Sequence, residues 1–173
     1  MEPRRPIFFA EDSVYGRAMA PRLYLETSMI SYLVGRPSRD AITQGNQQLT
    51  REWWATRRSE YELFVSELVV REAEIGYLAD ARLAIIEPLT ILSVPEEAER
   101  LAPLLLRAAG LAPNAATDAL HIALATVHGM HYLVTWNCKH IANGAIRRAV
   151  ERHCRLAGYE PPVICTPQEL SER

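Results

Sequence analysis

The sequence predicts an α/β fold of three layers, α/β/α, around a central, mostly parallel sheet of four to five strands. Three observations carry that expectation. Short apolar strands and longer helical stretches alternate along nearly the whole chain. Capping and turn residues stand at most of the junctions between them. The 173 residues are 49% apolar and 23% charged, with no internal repeat, linker or low-complexity run, which suits one globular, soluble unit with a real core.

The elements follow in order. Arg22–Leu25 is a short apolar strand. Thr27 or Ser28 can cap the helix Met29–Val34, which Gly35-Arg36-Pro37-Ser38 breaks. Ala41–Glu60 reads as a long helix, polar on one side, carrying Trp53 and Trp54. Glu62–Val65 is the second strand; Ser66 caps a helix through Ile75, ended by Gly76. Leu78–Ile86 is helical and Pro88 stops it. Leu89–Val94 is the third strand, and Pro95, a good first-turn residue, opens Glu96–Ala109. After a loop at Gly110, Pro113 and Asn114, Thr117 caps the apolar helix Asp118–His128. Tyr132–Thr135 is the fourth strand, Asn143–Leu156 a basic helix, and Pro162–Cys165 a last short strand. Strands separated by helices pair in parallel, and such sheets bind ligands beyond their carboxyl ends, where Glu26, Ser66 and Asn137 fall.

Charge and cysteine usage narrow the classes. A net charge of −2 gives no whole-chain basic field, so nucleic-acid binding needs a local patch. Lys139 is the only lysine; the other basic residues are arginines, the better bidentate phosphate ligands. Cys138, Cys154 and Cys165 match no zinc spacing and read as reduced thiols of a cytoplasmic protein. No apolar run reaches the length of a membrane span. Residues 1–20 carry an apolar patch too short for a signal peptide, interrupted by Glu11 and Asp12. They read as a loosely ordered extension or as an upstream start before a native start at Met19; residues 21–173 read as a single domain.

Three carboxylates stand where strands meet helices: Glu26, Glu72 and Asp118. Taken singly, Asp118 is also half of a Thr117-Asp118 cap, and Glu72 a helix carboxylate at the edge of a buried face, with Glu74 turned to solvent. Glu26 lies between Tyr24-Leu25 and Met29-Ile30, where a carboxylate must be satisfied or hydrated. Together they suggest a divalent-metal site. Like charges raise one another's pKa unless a cation lies between them, and an all-oxygen site suits phosphate chemistry.

From about Leu23 to Cys165 the chain resembles the PIN-domain nucleases, most nearly the VapC-type toxins of prokaryotic toxin–antitoxin pairs. The resemblance rests on LYLETS with Glu26-Thr27-Ser28, on Ser66, Glu72 and Gly76, and on TDALHIALATVHGMHYLVT with Asp118 and Thr135. The first acid of that family is usually Asp and here is Glu26; the position after the last Thr is often acidic and here is Asn137. Asn137 leaves the site one charge fewer, so the resemblance leaves open whether it holds one ion or two.

What the resemblance implies is hydrolysis of single-stranded RNA, tRNA included, by a water activated on Mg²⁺ or Mn²⁺. Glu26 and Asp118 would hold the metal, and Glu72 would ligate it or orient the water. Asn137 would position the water or the scissile phosphate. Thr27, Ser28 and Thr135 would donate hydrogen bonds to phosphate or to the carboxylates. Arg36, Arg39 and Lys139 would touch the RNA backbone or stand as ordinary surface charge. A homodimer and a cognate antitoxin are the implied partners.

Two rivals remain open at this stage. One is a degenerate PIN domain that binds RNA or a protein without cleaving, for which Glu26 and Asn137 speak. The other is thiol or histidine chemistry from His121, His128, His131 and His140 near Cys138. Cys138 and His140 alone are too sparse for zinc, and these histidines read as helix-face and loop residues, with His121 one turn after Asp118. No Gly-x-Gly-x-x-Gly or Gly-Lys-Ser/Thr phosphate loop is present. Trp53, Trp54 and Tyr61 divide between core and partner surface, since adjacent helix residues face about 100° apart.

Overall fold

The central strand is apolar on both faces, and that decides the architecture. In β1 (Arg22–Leu25), Leu23, Tyr24 and Leu25 are all fully buried, so the strand needs cover above and below. The computed structural model describes residues 19–171, so of the expected extension only Met19 and Ala20 lie within the described residues. Around β1 run β2 (Glu62–Ser66), β3 (Thr90–Leu92), β4 (Tyr132–Val134) and β5 (Val163–Cys165). The order is β3-β2-β1-β4-β5 and every pairing is parallel. Helices flank this sheet in a three-layer α/β/α arrangement: α1 (Thr27–Val34), α2 (Ala41–Thr56), α3 (Glu67–Ala73), α4 (Ala79–Ile86), α5 (Glu96–Ala108), α6 (Ala116–Val127), α7 (Gly144–Leu156) and α8 (Pro167–Ser171). One core joins the layers through Leu23, Ile30, Val65, Ile122, Leu133 and Val150. Each fully buried residue of this size contributes roughly 1.5–3 kcal/mol by leaving water.

The strand order places the site. The chain steps from β1 outward to β2 and β3, then returns to the other side of β1 with β4 and β5. Strand order therefore reverses between β1 and β4, the kind of crevice in which open α/β sheets bind ligands. Leu25 and Val134 pair across that gap. Glu26 follows one strand and Thr135 the other, with the Glu26 amide bonded to the Val134 carbonyl at 3.1 Å.

Several boundaries differ from the sequence expectation. The cap of α1 is Glu26, not Thr27 or Ser28: its side chain accepts from the Ser28 amide and the helix begins at Thr27. The long helix ends at Thr56, and Arg58–Glu60 form a 3-10 turn beside the Arg57–Glu60 ion pair of 2.6 Å. Helix α3 stops at Ala73, because Arg82 reaches back to the carbonyls of Ala73 and Ile75, bonding them in place of a further helical turn. Gly76 then turns the chain at φ 93°, a left-handed conformation that suits glycine. Helix α6 has no side-chain cap: a 3-10 turn at Pro113–Ala115 feeds straight into Ala116, leaving Thr117 inside the first turn. The last strands are shorter than expected, and α8 is an addition. Trp53 is core, packed 5.9 Å from the Tyr61 ring, while Trp54 is half-buried beneath Arg58.

Candidate active site

Glu26 is 94% out of water, and three donors meet on one of its oxygens. Oε2 accepts from the Ser28 amide at 3.1 Å, the Ser28 hydroxyl, and the Thr135 hydroxyl at 2.7 Å. As the N-cap of α1 the carboxylate also meets the positive end of that helix. These contacts offset the cost of burying its charge. The two hydroxyls are themselves fixed, Ser28 by the Trp136 amide at 2.9 Å and Thr135 by the Asn137 amide at 2.8 Å. Trp136 is anchored in turn on Thr50 of α2 at 2.7 Å and stacks with Tyr32.

Glu72 projects from α3 toward the same place. Its Oε2 accepts from the Thr27 hydroxyl and faces His121 Nε2 at 3.0 Å. Burial pushes its carboxyl up, but the His121 hydrogen bond and charge and the Thr27 hydrogen bond outweigh it and hold the group below the usual carboxylate range. His121, 1% exposed, comes from α6. Its other nitrogen, Nδ1, lies 2.8 Å from the Tyr24 hydroxyl, which lies 2.7 Å from Ser66 Oγ. Ser66 caps α3 through the Val69 amide. The chain of contacts therefore closes through α3: Glu72, His121, Tyr24, Ser66, and back along the helix to Glu72. Burial drives the Tyr24 hydroxyl far above its ordinary pKa; the Ser66 hydrogen bond opposes this, and Glu26 and Glu72 add to it. Tyr24 is therefore a permanent O–H.

Ligand atoms of Glu26, Glu72 and His121 lie within 4.8 Å of one another, and this is the one such group among the described residues. Two carboxylates and an imidazole so close fit a divalent cation, which removes the repulsion between the acids. Asp118 stands outside that group. Its Oδ1 accepts from Asn137 Nδ2 at 2.8 Å and its Oδ2 faces His140 Nδ1 at 2.8 Å. The His140 amide returns to Asn137 Oδ1 at 3.0 Å, closing a second ring. Asp118 and His121, three apart on α6, share one face of the helix, so the two rings adjoin.

Of the residues singled out from sequence, Glu26, Glu72, Thr27, Ser28 and Thr135 come together around one point. The three hydroxyls bond carboxylates. Asp118 and Asn137 pair beside them. Arg36, Arg39 and Lys139 are exposed, Arg36 with its guanidinium over the Tyr77 ring at 5.7 Å. Tyr24, His121 and His140 carry more of the site than the sequence reading gave them. The spacing Asp118-x-x-His121 and the turn Asn137-x-x-His140 were their signals. His128 and His131 fit the loop reading, bonding the Ser93 carbonyl at 2.9 Å and the Arg22 amide at 2.8 Å.

The sequence model of the PIN domain matches residues 23–137, from β1 to the turn that holds Asp118. The chain belongs to the PIN domain family. Solved structures agree on the fold. A FitAB complex bound to a DNA fragment superposes with a TM-score of 0.54 at 18% identity, covering 84% of this chain and 94% of the other. DNA-bound VapBC from Salmonella typhimurium gives 0.51 at 16%, covering 85% and 98%. VapC20 of Mycobacterium tuberculosis, described as a sarcin–ricin loop cleaving toxin, gives 0.53 at 17%, covering 70% and 95%. No curated protein matches the sequence. Among the described residues no helix of this PIN domain is long and apolar enough to cross a membrane.

Proposed function

We propose that this PIN domain is a divalent-metal-dependent endoribonuclease that cleaves single-stranded RNA as the toxin of a toxin–antitoxin pair. The observation that carries the reading is the meeting of Glu26, Glu72 and His121 within 4.8 Å, in the crevice between β1 and β4. The same fold in a toxin described as cleaving the sarcin–ricin loop supports RNA as the substrate class, and its presence in FitAB and VapBC complexes supports a cognate antitoxin as partner. A second copy of the chain completes the assembly.

A bound Mg²⁺ or Mn²⁺ would polarise the phosphoryl group and lower the pKa of water. Glu26 and Glu72 are the carboxylates that hold it, each with one oxygen tied to hydroxyls and the other without a hydrogen bond among the described residues. Glu72, kept ionised, would ligate the ion or orient the attacking water. Asp118 fixes Asn137 and His140, and Asn137 would position the water or the scissile phosphate. Thr27, Ser28 and Thr135 keep the carboxylates from swinging, and Arg36, Arg39 and Lys139 meet the RNA backbone.

The test is a labelled single-stranded RNA incubated with purified protein and Mg²⁺ or Mn²⁺, beside Asp118→Asn. Cleavage that requires metal and falls by two or more orders of magnitude in the variant is the expected result. Metal-independent cleavage, or full activity in the variant, sinks the reading. Binding of RNA without cleavage by any metal-loaded sample would make this a degenerate domain.

A further inference from the structure

We propose that His121, held from behind by the Tyr24–Ser66 pair, joins Glu26 and Glu72 as a protein ligand of the divalent ion through Nε2, and that its imidazole makes the centre prefer a first-row transition ion such as Mn²⁺ over Mg²⁺. The inference rests on the metal-dependent reading above. It starts from reach. Ligands that share one ion at about 2.0–2.2 Å each lie no more than roughly 4.4 Å apart. Glu26, Glu72 and His121 come close to that without rearrangement of α1, α3 or α6. Asp118 lies outside that group, held by Asn137 and His140 at 2.8 Å each.

The surroundings of His121 are those of a ligand imidazole. A metal-bound histidine needs its second nitrogen held by an outer group that fixes tautomer and ring plane. Tyr24 OH, fully buried, does this at Nδ1, and Ser66 holds Tyr24. Hydroxyls rotate, so this chain serves both states of the ring. Without the ion, Nε2–H donates to Glu72 and Tyr24 donates to Nδ1. With the ion, one proton leaves Nε2 and one binds Nδ1, with no net change. Nδ1–H then donates to the Tyr24 oxygen and Tyr24 donates to Ser66. An imidazole among the ligands turns the preference away from Mg²⁺, which favours oxygen donors and keeps its waters, toward transition ions.

The experiment uses the full chain freed of metal. It is titrated calorimetrically with MnCl₂ and with MgCl₂, and its Mn²⁺ complex is read by pulsed electron paramagnetic resonance for coupling to imidazole nitrogen. The expected result is tighter Mn²⁺ than Mg²⁺ binding and a nitrogen coupling that survives Asp118→Asn and vanishes in His121→Gln. Tyr24→Phe weakens Mn²⁺ binding by about 10–100-fold. If His121→Gln does not fold, coupling that persists in His140→Gln assigns the signal to His121, and its disappearance there overturns the proposal. Mn²⁺ bound without nitrogen coupling, in a protein that still needs metal to cut RNA, overturns this inference and leaves the nuclease reading intact. Equal affinity for Mg²⁺ overturns the selectivity. No binding of either ion overturns both.

Discussion

Tyr24 shows what one hydroxyl does in the middle of a sheet. It sits on the central strand with no exposure and joins Ser66 of β2 to His121 of α6. Tyr24→Phe keeps the ring packing and strips both neighbours of their partner. Leaving buried polar groups unmatched costs about 1–3 kcal/mol. The expected outcome is a lower thermal midpoint, by roughly 2–4 °C for each kcal/mol, in metal-free protein. An unchanged melt would mean the hydroxyl is not shared. At this scale the acids were legible because a charged residue between apolar runs stands out: Glu26 among Tyr24, Leu25, Met29 and Ile30. His121 was legible only in part: its spacing set it one turn after Asp118, but a lone histidine on an apolar helix is commonly a satisfied core residue. Only its distance from Glu72 and Glu26 in space, which no local pattern encodes, separates the two cases.

Among the elements, α8 is the one the sequence reading passed over, although Thr166-Pro167-Gln168-Glu169 is a capping box with proline at the first helical position. Glu169 Oε2 accepts from the Thr166 amide at 2.7 Å, and its carboxylate is gripped by Arg147 of α7 at 3.0 Å. The Arg147 hydrogen bond first, and those from Thr166, hold the Glu169 carboxyl below its usual range despite partial burial. A depressed folded pKa means the contribution is present above the unfolded value of about 4.3 and is lost as pH falls through the folded value. Glu169 is half exposed, so the effect is under about 1 kcal/mol. Thermal melts should place Glu169→Gln slightly below the parent at pH 7, with the gap closing as pH falls through the folded value; a gap that persists in acid would assign the loss to packing instead. The apolar strands and the glycine and proline breaks were legible because they are local. Helix ends were less so: Arg82 ends α3 from nine residues away, a contact that only the folded chain creates.

The whole molecule carries a net charge of −2 and sets Glu26, Glu72 and Asp118 at its candidate site, so the RNA of the proposed reaction would have to be drawn in by local basic side chains. Arg36, Arg39 and Lys139 are exposed and suited to that task. In an Asp118→Asn background, where RNA stays intact, Arg36→Ala with Arg39→Ala should weaken binding of a fluorescent single-stranded RNA. It should also flatten the dependence of log affinity on log salt by about 0.7 for each phosphate no longer neutralised. An unaltered slope would class both arginines as plain surface charge. The all-parallel sheet has one more consequence, and it concerns time. Each of its strand pairings requires a crossover, so the candidate site draws together residues far apart in the chain. A chain leaving the ribosome exposes Glu26 and Glu72 well before β4, Asp118 and His121 have been made. Translation itself therefore delays the meeting of Glu26 and Glu72 with His121 until most of the polypeptide has emerged.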